Sequence, residues 1–347
     1  MGGTVVGVDI GSQSIRGVEV QGFDTAKPVV LRMHEVPVPG QAVRRGEVVE
    51  QSTVATALRR LWSTGGFKTR DAVLGIGGGR VFARDLAVPF ATLPQIRQSL
   101  PFHVQDLLPV PVADALLDFY PIAEQDTEGG RQISGLLVAA VKEAVNANVT
   151  AALAGGLNPV KVDFIPFALT RAVAPRRSAR GRDLLVGMGA NTTNVVVHED
   201  GVPSFVRIIP SGGADVTNAI VQRLQFSPEQ AEGAKRALGM GTQLMRQEDR
   251  PVIEIIYEVV GELLTSIRST LSYYANQRPS EPVSRIVLTG GGAHLNGLPK
   301  AFADLTSMPV VVADAFAQVT SKSKEQYTPE QRDGYAVALG LALGSRA

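Results

Sequence analysis

Two short segments, about half the chain apart, carry the residue types of a phosphate-binding turn. Residues 8–20 read VDIGSQSIRGVEV and residues 186–198 read VGMGANTTNVVVH, and an ungapped alignment places Gly11 opposite Gly189. In each copy a glycine and small polar residues follow an apolar run, so backbone N–H groups and hydroxyls can converge on an anion. One copy alone is more typical of an ordinary hairpin turn, whereas two matched copies favour a pair of turns that hold a polyphosphate from both sides.

Two glycine-rich segments could add to such a binding surface. Residues 285–288 predict a short strand that runs into TGGGA at 289–293, and a helix is expected to follow through about Thr306. Bare backbone between a strand and a helix lets a planar ring or a phosphate lie against it. Gly212 and Gly213 form a shorter break of the same kind before another helical stretch.

The elements around these turns predict two α/β domains. Runs of β-branched residues on both sides of each turn are typical of β-hairpins. Two copies half a chain apart indicate duplicated domains rather than a solenoid, and 347 residues are enough for both. A long amphipathic helix is expected over Val252–Tyr274, with Pro251 in its first turn, and it should pack on the second sheet.

The composition and the motif search exclude several other functions. The chain has no cysteine and a formal charge of +1, which excludes disulfides and thiolate metal sites and gives no basic footprint for nucleic acid. No G-x-x-x-x-G-K-[ST] motif occurs, and residues 75–80, GIGGGR, have arginine where a dinucleotide fingerprint needs its third glycine, which favours a structural turn. The four histidines lie far apart, and no apolar run is long enough to span a membrane.

The two hairpin turns, the Gly-Gly break and the late strand–TGGGA–helix unit resemble the superfamily of actin and hexokinase. Within it, the chain is most similar to the PilM family of type IV pilus assembly proteins, which are relatives of the cell-division protein FtsA. The motifs at 8–16, 189–195 and 289–293 carry this resemblance, which covers essentially the whole chain. It implies an α/β, actin-like (ribonuclease H-like) duplicated two-domain fold that closes around ATP and Mg²⁺.

The middle of the chain predicts a small inserted subdomain. An apolar stretch at 107–120, a polar break at 124–131 and an amphipathic stretch at 143–154 are consistent with an αββα unit, which resembles the 1C subdomain of PilM and FtsA. The resemblance implies an actin-like domain 1A at 1–83, 158–180 and 331–347, the inserted 1C (SHS2-like) subdomain at 84–157, and a second actin-like domain at 181–330 (2A) with a 2B insert at about 215–250.

The resemblance also gives roles to individual residues. Asp9 would hold Mg²⁺ through water, because this ion gives up its water reluctantly. Glu232 and Lys235, three apart on a predicted helix at 228–238, would contact the ribose and adenine, although such a pair can also be a simple surface ion pair. The expected nucleotide contacts are Gly11, Ser12, Gln13, Ser14, Gly189, Ala190, Asn191, Thr192, Thr193, Gly212, Gly213, Glu232, Lys235, Gly290, Gly291 and Gly292.

Two departures from the family pattern argue against fast catalysis. The repeat places Gly187 opposite Asp9, where many relatives have a second aspartate, and the junction FIPF at 164–167 lacks the polar side chain that orients water in actin. Losing such groups costs more in rate than in affinity. We therefore expect ATP to act as a conformational ligand, with slow hydrolysis or none, so that the chain is at most a weak ATPase. A small-molecule kinase is a weaker alternative, for which Asp163 would be the base.

The resemblance implies a protein partner as well. In the PilM family, the groove between the first domain and 1C receives the cytoplasmic N-terminal peptide of the membrane protein PilN. The sequence marks this region with Leu107, Leu108, Phe119 and Tyr120, each of which could equally belong to a core. Other pilus assembly proteins and a second copy of the chain are further candidate partners.

The last predicted element distinguishes two cellular roles. Residues 332–343 are rich in alanine, glycine and leucine, which suits close packing inside a domain rather than insertion between lipids. This favours pilus assembly over an FtsA-like division scaffold, which remains the alternative. The expected location is the cytoplasm, at the inner membrane through partners and without direct membrane insertion.

Overall fold

The computed structural model describes residues 3–25, 27–174, 181–241, 246–323 and 327–344. The strands are β1 (Thr4–Ile10), β2 (Ser14–Gln21), β3 (Val29–Pro37), β4 (Val43–Arg44), β5 (Glu47–Val48), β6 (Asp71–Ile76), β7 (Val81–Pro89), β8 (Ala115–Thr127), β9 (Gly130–Val141), β10 (Asn158–Phe164), β11 (Arg182–Met188), β12 (Thr193–Glu199), β13 (Val202–Ile209), β14 (Val283–Thr289), β15 (Val310–Val312) and β16 (Thr320–Ser321). The α-helices are α1 (Gln51–Gly65), α2 (Leu93–His103), α3 (Lys142–Ala154), α4 (Ile165–Val173), α5 (Gly213–Leu224), α6 (Pro228–Leu238), α7 (Arg250–Gln277), α8 (Leu298–Thr306), α9 (Pro329–Asp333) and α10 (Ala336–Leu343). Single 3-10 turns lie at Val112–Asp114, Gln247–Asp249 and Gly291–His294.

The two large sheets repeat one topology. In the first sheet β1, β2 and β3 form an antiparallel meander, and β6 and β10 continue the sheet in parallel on the other side of β1. In the second sheet β11, β12 and β13 form the meander, and β14 and β15 continue it in parallel beside β11. Both predicted phosphate turns are the first turn of a meander. The duplicated two-domain α/β fold expected from the sequence repeat is therefore confirmed.

Helices α4 and α10 lie between the two sheets. One apolar core joins Val18 and Val73 of the first sheet to Leu185 and Val196 of the second through side chains of both helices. Six residues of α10 are buried, and most of them are small, which lets the helix pack closely. The small residues at the end of the chain thus predict the packing correctly, but the expected single element is two helices, because α9 ends before α10 begins.

The inserted region has the expected αββα order, as α2, β8, β9 and α3, and strand β7 precedes it. It is a three-stranded sheet of order β7-β9-β8 with one helix, α2, and its own core contains Leu100, Phe119 and Leu137. Strand β7 begins at Val81 and carries charged residues along an edge, so its sequence shows little hydrophobic alternation. The expected closing helix, α3, packs on α1 instead, and its buried Ala151 belongs to the core of the first domain.

The limits of the first domain also differ at the end of the chain. Strand β16 pairs in parallel with β3 of the first sheet, with Thr320 opposite Val29. The chain therefore returns to the first sheet before residue 331, where the sequence places the boundary. Such a short strand, only two residues long, has no hydrophobic pattern of its own and forms because β3 offers it an edge.

Residues 77–80 connect β6 to β7 as a turn, as expected for the GIGGGR segment. None of the helices in the described part of the chain combines the length and the apolar character that crossing a membrane requires.

Candidate functional site

The two repeated turns share one hydrogen bond. The Gly11 N–H donates to the Ser14 carbonyl at 3.1 Å, and the Gly189 N–H donates to the Thr192 carbonyl at 2.9 Å. A Cβ at Gly11 would lie 2.8 Å from the Ser14 carbonyl oxygen, and a Cβ at Gly189 would lie 3.0 Å from the Thr192 carbonyl oxygen. The repeat in the sequence is therefore a repeat of backbone geometry, and the equivalent carbonyl crowds a side chain at the glycine of both turns.

In the second domain, the phosphate turn and the Gly-Gly break form one unit. The Gly213 N–H donates to the Gly189 carbonyl at 3.0 Å, and the Ala214 N–H donates to the Ala190 carbonyl at 2.8 Å. A Cβ on Gly212 would lie 2.5 Å from the Gly189 carbonyl oxygen, so only glycine fits there. The start of α5 is thus fixed directly beneath the turn by backbone hydrogen bonds.

The TGGGA segment packs against the end of β11, next to the same turn. Gly290 has a φ of +86°, and a Cβ there would lie 2.6 Å from the Met188 carbonyl oxygen. Gly292 is equally close to the Met188 side chain, whereas a Cβ on Gly291 would meet nothing within 4 Å. The segment therefore has one side pressed on β11 and one bare side on which a ring could rest.

Glu232 and Lys235 form more than a surface ion pair. The Lys235 ammonium donates to Glu232 at 2.6 Å, to the Gly213 carbonyl at 3.0 Å and to the Thr217 hydroxyl at 3.0 Å. Thr217 in turn donates to Glu232 at 2.7 Å. Partial burial opposes ionisation, but hydrogen bonds from Lys235, Arg236 and Thr217 lower the pKa of Glu232 to about 2. The pair therefore ties α6 to the first turn of α5, beside the phosphate turn.

The first-domain turn presents an acid and an unsatisfied hydroxyl. Asp9 is partly buried near the end of β1, and burial raises the pKa of its carboxyl against the opposing charge of Arg16. The Ser14 hydroxyl is buried and has no hydrogen-bond partner among the described residues. Ser12 and Gln13 complete the turn, and Gln13 accepts the Val38 N–H at 3.0 Å through its carbonyl. A buried hydroxyl without a partner is what an absent phosphate oxygen or bound water would leave behind.

The residues at this turn suit one mode of magnesium binding. Among the described residues, no group of three or more His, Asp or Glu side chains could hold a metal ion. Asp9 is the acid nearest the first phosphate turn in the sequence, and Mg²⁺ is often held by one or two carboxylates together with phosphates and water. The donor set therefore fits Mg²⁺ that arrives with a nucleotide.

The sequence analysis gave no role to Arg16, which the structure places beside Asp9. The two residues are direct cross-strand partners in the β1–β2 hairpin. The Arg16 guanidinium bonds Glu35 at 2.7 Å, and its side chain is 31% exposed. Its position in the first repeat, two residues after Ser14, was the available signal for a cation near the phosphates.

The second turn has no room for a counterpart of Asp9. A Cβ at Gly187 would lie 2.5 Å from Cδ1 of Leu169, which α4 brings against β11. The candidate base Asp163 is also occupied, since it pairs with Arg171 and accepts the Phe164 N–H at 2.8 Å. Neither position offers a free carboxylate for activating water or a hydroxyl.

A second concavity lies between the first domain and the insertion. It is a cavity of about 810 Å³ whose charged lining residues are Glu47, Arg80, Asp114, Lys142 and Glu143. Arg80 bridges the two sides, with its guanidinium 2.7 Å from both Glu47 and Glu143. Three acids against two bases leave the lining net acidic.

The four residues marked for partner binding lie outside this cavity. Phe119 is buried in the core of the insertion, and the Tyr120 ring packs on Phe167 of α4 at 4.8 Å. Leu108 packs against the core of the insertion, and Leu107 is exposed. None of the four is among the residues that line the cavity.

Comparison with known proteins decides the family. The sequence model of the family described as type IV pilus assembly protein PilM matches residues 7–346. The chain belongs to this family. It is similar to a chain in the solved PilM–PilN type IV pilus biogenesis complex, with 26% identity, a TM-score of 0.83 and coverage of 98% of this chain and 97% of that chain.

Two further proteins are similar to this chain. The cell division protein FtsA of Bacillus subtilis is 22% identical over 328 residues, which cover 80% of this chain and 71% of FtsA. The crystal structure of MreB5 of Spiroplasma citri bound to ADP has a TM-score of 0.54 at 11% identity, over 97% of this chain and 94% of that chain. At that identity the likeness shows the fold alone, and it confirms the actin-like architecture.

Proposed function

We propose that this PilM-family chain is an ATP-binding scaffold of type IV pilus assembly, held at the inner membrane by a peptide partner. The observation that supports nucleotide binding is that the segments of the candidate site in the second domain lie together. Lys235 is hydrogen-bonded to the Gly-Gly break, the break is hydrogen-bonded to the phosphate turn, and the TGGGA segment packs on Met188 beside that turn. Because the chain's own contacts hold these segments together, binding would require little further ordering of them.

The residues of this chain would divide the work as follows. Bound Mg²⁺ would supply positive charge that offsets the phosphates, with Asp9 holding its water shell. Ser14 and Arg16 would contact phosphate oxygens from the first domain, and the turn at 189–193 would do so from the second, with Gly212 and Gly213 lining the floor beneath it. Gly291 would offer its bare backbone to the adenine. Since Gly187 and Asp163 supply no free carboxylate, we infer that hydrolysis is slow or absent and that ATP acts through its preference for one arrangement of the domains.

We further propose that the cavity between the first domain and the insertion receives the partner. Its volume of about 810 Å³ is in the range of ligand-binding sites, and the similar solved protein was determined with PilN. Cytoplasmic segments beside membrane spans are rich in Lys and Arg, which matches the net acidic lining. The partner is therefore a short basic peptide of a PilN-like inner-membrane protein, and this contact would keep the chain in the cytoplasm at the membrane.

Calorimetric titration with ATP, with and without Mg²⁺, tests the nucleotide half. The wild-type chain should bind ATP saturably and more tightly with Mg²⁺, and Asp9→Ala should lose the magnesium dependence. Asp24→Ala is the matched control, because Asp24 is an exposed acid in the turn after β2. Absence of binding by the wild-type chain, or equal magnesium dependence in Asp9→Ala, would refute the proposed site.

An FtsA-like division scaffold is the second candidate, because an FtsA is among the relatives. Titration with two immobilised peptides separates the two functions: the N-terminal peptide of a PilN-like protein and the C-terminal peptide of the division tubulin. Binding of the first alone supports pilus assembly, and binding of the second alone refutes it.

A further inference from the structure

A buried carboxylate joins the two domains at the base of the TGGGA segment. Asp333, the last residue of α9, is 3% exposed. Its carboxylate accepts the Thr289 hydroxyl at 2.6 Å and lies 3.2 Å from Nε2 of His294. Both groups belong to residues 289–294 of the second domain, whereas Asp333 comes from a different part of the chain.

Asp333 is held in place by the first domain. The Tyr327 hydroxyl, just before α9, donates to the Met33 carbonyl of β3 at 3.0 Å. Gly334, just after it, lies beside the Arg16 guanidinium, and α10 then packs on β1 and β2. The carboxylate therefore has a fixed position relative to the first phosphate turn.

A second ion pair crosses the same boundary nearby. Glu330 of α9 lies 3.8 Å from Arg236 of α6, the helix that carries Glu232 and Lys235. This pair is exposed and contributes little by itself. It shows that α9 contacts α6 as well as residues 289–294, the two parts of the second domain that are proposed to bind the nucleoside.

We propose that Asp333 is a positioning residue that holds the adenosine-binding segment 289–294 against α9, so that tight binding of the nucleoside requires this contact between α9 and the segment. This inference rests on the proposed nucleotide function. Its physical basis is that the buried Asp333 carboxylate is the hydrogen-bond partner of both Thr289 and His294. If residues 289–294 move away from α9, both groups lose this charged partner. Triphosphate contacts come from other segments and do not depend on this carboxylate.

The test compares Mg-ATP with inorganic tripolyphosphate and Mg²⁺ on the full chain. Asp333→Asn keeps the shape of the side chain but replaces one acceptor oxygen with an NH2 group, which cannot accept a hydrogen bond from Thr289 or His294. It should weaken ATP binding by about tenfold or more and change tripolyphosphate binding by less than about twofold. Thr289→Val should have the same selective effect, and the double variant should be no weaker than the stronger single variant, since both remove one interaction.

Glu19→Gln is the control for a merely structural effect. Glu19 is a fully buried carboxylate in β2 that accepts Arg32 at 2.6 Å and the Lys68 N–H at 2.9 Å, outside the nucleotide-binding segments. It should lower stability without selecting between the two ligands. Equal loss of ATP and tripolyphosphate affinity in Asp333→Asn, or no loss of either, would overturn the inference and leave the proposed function standing. A wild-type chain that binds neither ligand would overturn both.

Discussion

A double-mutant cycle between Gly187 and Leu169 tests why the second phosphate turn lacks a carboxylate. Leu169 is 2% exposed, and its side chain supplies the three atoms nearest to a Cβ added to Gly187. The three variants are Gly187→Ala, Leu169→Ala and the combination. If Leu169 occupies the space that an aspartate would need, the two single changes should compensate each other.

The magnitudes follow from packing. A methyl group 2.5 Å from Leu169 Cδ1 is an overpacked contact, which costs about 1–3 kcal/mol, offset in part by about 0.4–1 kcal/mol from the stiffer unfolded chain. Leu169→Ala leaves a cavity and should cost about 2–5 kcal/mol. In the double variant the methyl group fills part of that cavity without a clash. We therefore expect it to be no less stable than Leu169→Ala alone, with a coupling free energy of about 1–2 kcal/mol.

Equilibrium unfolding in urea, followed by circular dichroism, measures the four free energies of unfolding, provided that the denaturant slopes agree among the variants. Additivity of the two single changes within about 0.5 kcal/mol would refute the reasoning. It would mean that Gly187 and Leu169 are not in competition for space. The absence of an aspartate at 187 would then need a different explanation.

Two further predictions concern charge. Partial burial opposes ionisation of Glu232, but hydrogen bonds from Lys235, Arg236 and Thr217 lower its pKa from 4.5 to about 2. Because the pKa is lower in the folded state, the resulting stability is present above about pH 4.5 and is lost as the pH falls toward 2. Glu232→Gln should therefore lower the free energy of unfolding by about 1–2 kcal/mol at pH 7, after allowance for solvent screening, and a difference from wild type that stays constant down to pH 2.5 in acid titrations would contradict this. For the cavity, Asp114→Asn should weaken binding of the basic PilN-like peptide by about 2–5-fold and reduce its salt dependence, as measured by calorimetry at two salt concentrations. Asp126→Asn, an exposed acid on β8 outside the cavity lining, is the control, and equal effects of the two variants would argue against an electrostatic role of the cavity.

Local patterns in the sequence predicted the parts of this protein that depend on local geometry. The repeated turns at Gly11 and Gly189 have the same hydrogen bond because a glycine before small polar residues permits the same backbone path in both copies. The long helix was expected over 252–274 and is observed as Arg250–Gln277, since amphipathic periodicity and a proline in the first turn act along the chain. Glu232 and Lys235 were paired from their helical spacing and from the family resemblance, and the Lys235 ammonium lies 2.6 Å from the Glu232 carboxylate.

Only the tertiary structure decided which segments meet. Asp333 has no motif around it, and its role appears only because α9 lies against residues 289–294, about forty positions earlier. The choice of α1 as the partner of α3, the short pairing of β16 with β3 and the exclusion of a side chain at Gly187 by Leu169 are of the same kind. Each depends on the packing of surfaces that are distant in sequence, and a hydrophobic pattern states that a face is buried without stating against what. The sequence alone therefore determined the repeated turns and the duplicated fold, whereas the joining of the two domains around them was decided by packing.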